Sequence, residues 1–292
     1  HSTSDFPYLL ENSLGKELQR AYGAFAETWR KIATVGSVPD FKVNPRIRMG
    51  SFNSLDTVLE GGEFTHGTVG EEKETIQAVT KGKLISLTRQ AIINDDLNGF
   101  MRIAGLMGRA AARTIGNDVY SVITTNAAMA DTVAIFHADH NNLAGTGAAP
   151  TVATVGAARS AMRLQQDLNE NDYLDIQPEI ILGPVALEDT LKVLMASETD
   201  PAQANSKKPN AVRNAAEVVT DPRLDANSTT AWYLIANPEL VPLVEVAFLD
   251  GNENPYLESK NGFTIDGVEW KVRLDYGTDS MDHRGGYKNA GA

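Results

Sequence analysis

One stretch limits what this chain can become. From Asn94 to Thr125 it reads NDDLNGFMRIAGLMGRAAARTIGNDVYSVITT, with no proline. Phe100, Ile103, Met107, Ala111, Ile115, Val119 and Val122 recur at steps of three and four, which predicts a helix of roughly 30 residues, about 45 Å long. Asn94 is a candidate N-cap, and Asp95 and Asp96 put negative charge in the first turn. The run Gly105, Gly108, Ala110, Ala111, Ala112 strips the bulk from one face, so another backbone or a sheet is expected to cross closely there. A helix of this length that ends in a loop rather than in further heptads is a beam, and the rest of the chain has to be arranged on it.

With 292 residues, 42% of them hydrophobic, the chain can bury a large core as one large or two coupled domains. No run of eighteen apolar residues predicts a membrane span. Cysteine is absent, which excludes disulfides, thiolate metal sites and cysteine nucleophiles. Against 38 acidic residues stand 26 Lys and Arg, a net charge of -12. Such a surface repels nucleic acid as a whole and leaves room only for a local basic patch. The sequence starts at His1 rather than Met, from which a trimmed chain is expected, through a tag remnant or a proteolytic maturation step.

Before the long helix, Leu10, Leu14, Leu18, Tyr22, Phe25 and Trp29 form an apolar stripe, read either as an arm reaching to another molecule or as a helix on the chain's own core. Pro39 and Pro45 make 38–51 extended, and Lys42, Arg46 and Arg48 make it basic. Gly61-Gly62, Gly67 and Gly70 then punctuate a polar region, followed by expected strands at 74–80 and 83–88. Between Ser51 and Thr75 lie six acidic residues and one lysine. That composition cannot form a core of its own, and a two-stranded projection resting on another molecule reconciles it with the alternation. After the helix come a turn-rich segment, a second amphipathic helix over 155–168, a buried strand at 179–182, a helix opened by Pro184, and a loop over 198–214. Late strands follow, ending in a hairpin expected around Asp266-Gly267. These strands are expected to return, near residue 240, to the domain left near 150.

Chemistry is sparse. In FHADH, His137, Asp139 and His140 offer a metal-like trio, and a metal-dependent hydrolase could be built on it; a polar turn with Asp139 and Asn141 bonded to nearby amides explains the same residues. His66 and His283 have no companion motif. No dinucleotide or phosphate-loop glycine pattern and no nucleophile elbow occurs, so no catalytic, cofactor or metal residue is assigned. The residues expected at a subunit boundary are Glu60, Gly61, Gly62, Glu63, Phe64, Glu71 and Glu72 as an acidic tip, with Arg46, Arg48 and Arg89 as basic receivers. Arg109 and Arg113, one turn apart on the long helix, are further candidates to hold a carboxylate.

Taken together, DFPYLLENSLGKELQRAY, VPDFK, LEGGEFTHGTVGEE, SLTRQAIINDDLNGF, GRAAART, FHADHNNLA and YLESKNGFTIDGVEWKVRLDYG resemble the Mu-like phage major head subunit (major capsid protein) family. The resemblance implies an α+β fold of the Hong Kong 97 type. Its parts would be an N-terminal arm at 1–37, an E-loop with flanking strands at 38–88, and a spine helix with the first part of the P-domain at 89–150. An A-domain at 151–240 and P-domain return strands with a C-terminal tail at 241–292 complete it. It further implies no enzyme but a homo-oligomer of pentamers and hexamers enclosing double-stranded DNA in a virion assembled in the host bacterial cytoplasm. Portal, scaffold, maturation protease and possible decoration proteins would be its partners, with no cofactor and no membrane. An encapsulin-like nanocompartment shell is the alternative of the same fold.

Overall fold

In the computed structural model the described residues are 5–25, 27–49, 71–88, 97–170, 172–203, 207–261 and 267–292, with Gln90 and Asn94. The long helix, α3 (Leu97–Thr125), is continuous as its periodicity predicts, with two shorter helices before it, α1 (Asp5–Ala24) and α2 (Trp29–Ile32). Among the described residues, none of its helices is long and apolar enough to cross a membrane.

The small-residue face of α3 takes a backbone, as expected. A Cβ on Gly108 would lie 2.4 Å from the Leu18 carbonyl oxygen and 3.0 Å from the Tyr22 nitrogen, so only glycine lets α1 cross at this distance. Leu14, Leu18 and Tyr22 are buried there, Leu14 and Leu18 sharing a core with Ala104, Trp270 and Val272. Of the two readings of residues 1–37, the helix on the chain's own core describes α1 in this structure. The segment then enters a sheet, because Ala33–Val38 forms β1.

That sheet has five strands, from β1, β4 (Val79–Thr88), β8 (Val244–Leu249), β9 (Tyr256–Asn261) and β10 (Gly267–Ser280). β10, with 14 residues, pairs antiparallel with β4 along one edge, and with β9 and then β8 along the other; β1 adds parallel to β8. β9 and β10 pair antiparallel as a hairpin, but not around a tight Asp266-Gly267 turn: Asn261 is opposite Val268 and Gly267 already belongs to β10, while Phe263, Ile265 and Asp266 lie outside the described residues. Trp270, Val272, Leu274 and Tyr276 alternate inward on β10, the period of a sheet with one face against a helix.

A second sheet has the order β11 (Gly286–Asn289), β7 (Trp232–Ala236), β5 (Pro178–Gly183), β6 (Glu217–Thr220). The apolar run of β7 is buried on both faces. Tyr233 and Ile235 join Ile115, Val119, Ile123 and Phe248 in a core shared with α3 and the first sheet. Trp232, Leu234 and Ala236 face α4 (Val152–Arg163) and α5 (Glu188–Ala196). α4 stops at Arg163, short of the expected 168, because Leu164 caps it and Gln165 turns inward to donate to the His140 carbonyl at 2.8 Å. The C-terminal strand β11, in a stretch where no strand is expected from the sequence, pairs with β7: Gly286 and Gly291 fit against Leu243 and the Thr230 backbone, where side chains would collide.

A polar tie holds α2, α3 and the second sheet. Asp221, 3% exposed, caps α6 (Pro222–Asp225), accepts from Thr28 Oγ1 at 2.6 Å and pairs with Arg223 at 3.0 Å. Arg223 also reaches Glu27 at 2.9 Å and donates to Asn117 at 2.7 Å. Burial raises the Tyr120 hydroxyl well above the ordinary phenol value, so it stays protonated beside Thr28.

Candidate functional site: the root of the two-stranded ribbon

β2 (Asn44–Met49) and β3 (Glu71–Ile76) pair antiparallel as a ribbon of their own, the expected projection as far as the described residues go. Glu60, Gly61, Gly62, Glu63, Phe64 and Arg89 lie outside them. The register sets Arg46 opposite Glu74 and Arg48 opposite Glu72, and period-two alternation turns these four side chains toward the body while Ile47, Glu71 and Lys73 point outward. Oppositely charged residues that look like tip and receiver in the sequence are thus ladder partners within one chain.

The inward charges meet partners on three elements. Arg46 donates to Glu245 of β8 at 2.7 and 3.0 Å and to the Ser37 carbonyl at 3.0 Å. Glu245 can lie across β1 because Gly36 is there; a Cβ would come within 2.1 Å of its carboxylate. Arg48 pairs with both Glu72 and Asp282. Arg284, its side chain 8% exposed, reaches Glu72 bidentately at 3.0 and 3.2 Å, and its Nε donates to the Gln166 carbonyl at 2.8 Å. Asp282 also accepts from the Arg284 backbone at 2.9 Å. Two arginines and two carboxylates therefore close a neutral quartet that clamps the ribbon to the start of β11. Burial holds Arg48 below its ordinary value, with Asp282 acting against the shift. Glu74 accepts from the Ala130 amide at 3.3 Å, and burial raises its carboxyl above the usual carboxylate range.

Next to the quartet, His140 and His283 stack with centroids 3.7 Å apart and planes 8° from parallel. The trio His137, Asp139 and His140 does not converge. His137 Nδ1 accepts from the Asp139 amide at 3.2 Å and caps the 3-10 turn Ala138–His140, Asp139 is exposed, and His140 is buried. The polar-turn reading holds, with His137 and not Asp139 as the cap. The side chain that organises it is the fully buried Asn142, which accepts from His137 N and donates to the Ile135 and His283 carbonyls.

His283, without a companion in the sequence, gains one here, and with Asp131 the two histidines bring ligand-type atoms within 4.8 Å. Parallel rings, however, aim their in-plane lone pairs along parallel lines, and no single ion can lie in both planes as tetrahedral zinc requires. The two ring nitrogens of His140 lie against Ile135 O at 3.1 Å and Asp131 Oδ2 at 2.8 Å, so both edges of the ring are occupied by protein oxygens. Burial, and then the charge of His140 and of the two arginines, holds His283 down to about 3, so it is neutral under ordinary conditions. Lysine 81 and Tyr276 both donate to Asp118 on the inner side of α3.

The sequence could not point to Glu245, Asp282 or Arg284, since each lies some 200 residues from its ribbon partner. The only local signal was Asp282-His283-Arg284 itself, three polar residues that end up buried.

The site is thus a clamped ribbon on a helix-and-sheet body, its charges paired with one another. The chain belongs to the phage capsid protein family, whose sequence profile matches residues 71–289. Its mixed α+β fold resembles the Hong Kong 97-type capsid fold and is similar to several solved structures. One is from Microbacterium phage Oxtober96, with TM-score 0.60, 8% identity, and 91% of this chain and 90% of that chain covered. Another is the capsid of cyanophage P-SCSP1u, with TM-score 0.59, 14% identity, and 92% and 90% covered. The virus-like particle from Pyrococcus furiosus has TM-score 0.53, 10% identity, and 95% and 98% covered. No curated protein matches the sequence. The chain is a bacteriophage structural protein of the virion capsid.

Proposed function

We propose that this chain is the major head subunit of a Mu-like phage, forming pentamers and hexamers of an icosahedral shell around double-stranded DNA. The observation that carries the reading is the ribbon. Its strands are described up to Met49 and again from Glu71, and their root is fixed by six charged side chains, Arg46, Arg48, Glu72, Glu245, Asp282 and Arg284. A root held this firmly lets 21 residues of nearly acid-only charge serve a neighbouring subunit in a defined direction. In this reading residues 38–88 are the E-loop with its flanking strands, α3 is the spine, 151–240 the A-domain, and the five-stranded sheet the P-domain. Glu60, Gly61, Gly62, Glu63, Phe64, Glu71 and Arg89 are its subunit-boundary residues; Arg46, Arg48 and Glu72 support them from behind. Portal, scaffold, protease and decoration proteins are the partners, and assembly takes place in the bacterial cytoplasm.

A nanocompartment shell is the second reading, favoured by the likeness to the Pyrococcus furiosus particle over nearly the full length of both chains. Electron microscopy of the purified protein, with nuclease-protected nucleic acid measured in the particles, separates the cases. Closed shells that protect phage-length DNA are expected; shells carrying only protein cargo select the second reading, and a monomer under all assembly conditions overturns both.

A further inference from the structure

The charges of α3 are sorted by face. Its described length carries three arginines, Arg102, Arg109 and Arg113, and one acid, Asp118. At 100° per residue the arginines fall within an arc of about 40°, and at 1.5 Å per residue they span about 16 Å along one line. Asp118 lies about 160° from that line, turned to Lys81 and Tyr276. All three arginines are exposed, with Leu106 between the first two, and among the described residues none is ion-paired. The groove beside them, between α1 and α3, is lined by Glu17, Arg20, Phe25, Arg102 and Arg109, and its one acid is already held by Arg20 at 2.6 Å. In a chain of net charge -12, one rigid helix face is cationic, and Glu17, already held by Arg20, offsets only part of the charge of Arg109.

We propose that this arginine row is the surface by which each subunit meets the phosphate backbone of double-stranded DNA. The proposal rests on the reading of the chain as a DNA-enclosing capsid subunit. A straight row of guanidiniums on a helix matches a rail of phosphates, and contacts to phosphate carry no sequence information. A carboxylate-bearing segment of a second copy would have to place Asp56, Glu60 and Glu63 against the row in one register. The acidic remainder of the surface repels the same polyanion, so contact is confined to this face and stays weak per subunit, gaining strength only by repetition through the shell.

The test uses the full chain before assembly and a duplex of about 30 base pairs of arbitrary sequence. Each phosphate neutralised contributes about 0.9 to the slope of log affinity against log salt. The Arg102→Gln, Arg109→Gln, Arg113→Gln variant is expected to flatten that slope by about 2.7, so that between about 50 and 200 mM salt the native protein loses about 40-fold more affinity than the variant. Arg109→Gln alone is expected to remove about 0.9, a readout that survives if the triple variant fails to fold. A charge-matched control, Arg30→Gln, Lys31→Gln, Arg163→Gln, removes cations that are ion-paired in the native chain and is expected to leave the slope unchanged. An unchanged slope in the row variants, or an equal change in the control, overturns the proposal. Lost shell assembly with an unchanged DNA slope also overturns it and assigns the row to contact between copies. Shell formation by the native protein is scored separately by microscopy, so failure of the capsid reading is distinguished from failure of the row.

Discussion

Glu72→Gln removes one charge from the ribbon root while keeping the side chain's shape. In the native quartet Glu72 accepts two bonds from Arg284 and pairs with Arg48, and Asp282 balances the remaining charge. In the variant two guanidiniums share Asp282 alone, where Arg284 and Asp282 are 8% and 7% exposed. Breaking a buried pair from one side costs roughly 3 to 5 kcal/mol, because the partner keeps its desolvation penalty. Water reaches Glu72, 23% exposed, and Arg48, 34% exposed, which screens the pair and brings the cost below that range, to about 2 to 3 kcal/mol. The β2–β3 ladder bonds are untouched, and the cost therefore falls on docking the ribbon to the body. A two-stranded ribbon released from the body is marginal on its own and opens, so in hydrogen exchange the amides of Asn44, residues 46–49 and Glu71–Ile76 are expected to exchange about 30- to 150-fold faster than in the native chain, with β10 unaffected. Adding Arg284→Met to Glu72→Gln is expected to restore part of the protection by removing the stranded charge. Ribbon protection within twofold of native would refute the clamp.

Gly108→Val drives a side chain into the Leu18 carbonyl and the Tyr22 amide, and is expected to release α1 at a cost of about 1 to 3 kcal/mol, read as protease cleavage within Asp5–Ala24. Asp221→Ala strips the partners from Thr28 and Arg223 in a buried setting and is expected to destabilise by about 2 to 4 kcal/mol in denaturant titrations. His283 binds its proton at about 3 in the fold and at 6.5 unfolded, so unfolding takes up a proton between those values. Its share of stability is complete above about pH 6.5 and declines as pH falls toward 3, by about 4 to 5 kcal/mol in full, and the stability difference between native protein and His283→Gln should follow that curve. Glu74 and Asp279, both raised chiefly by burial, act with the opposite sign, gaining stability as pH falls through their folded values.

What the sequence determined by itself are the features that depend on neighbours three, four or two residues away. The continuity of α3, the bare face at Gly108, and the alternation of Trp270, Val272 and Leu274 all follow from local period and bulk. The class of protein was also legible, since dispersed short motifs together resemble one family even where none carries chemistry. Tertiary structure decided where charge goes. Arg48 and Glu72 look like opposite ends of a projection until the antiparallel register makes them neighbours, and Arg284 joins them across 212 residues of chain. His283 becomes the stacking partner of His140 only because Asn142 ties both segments together. Electrostatic partnership is a property of distance in space, and a desolvated ion pair is stable only when several elements supply its partners at once; no periodicity in the chain encodes that, whereas burial of an apolar stripe needs only a face to lie against.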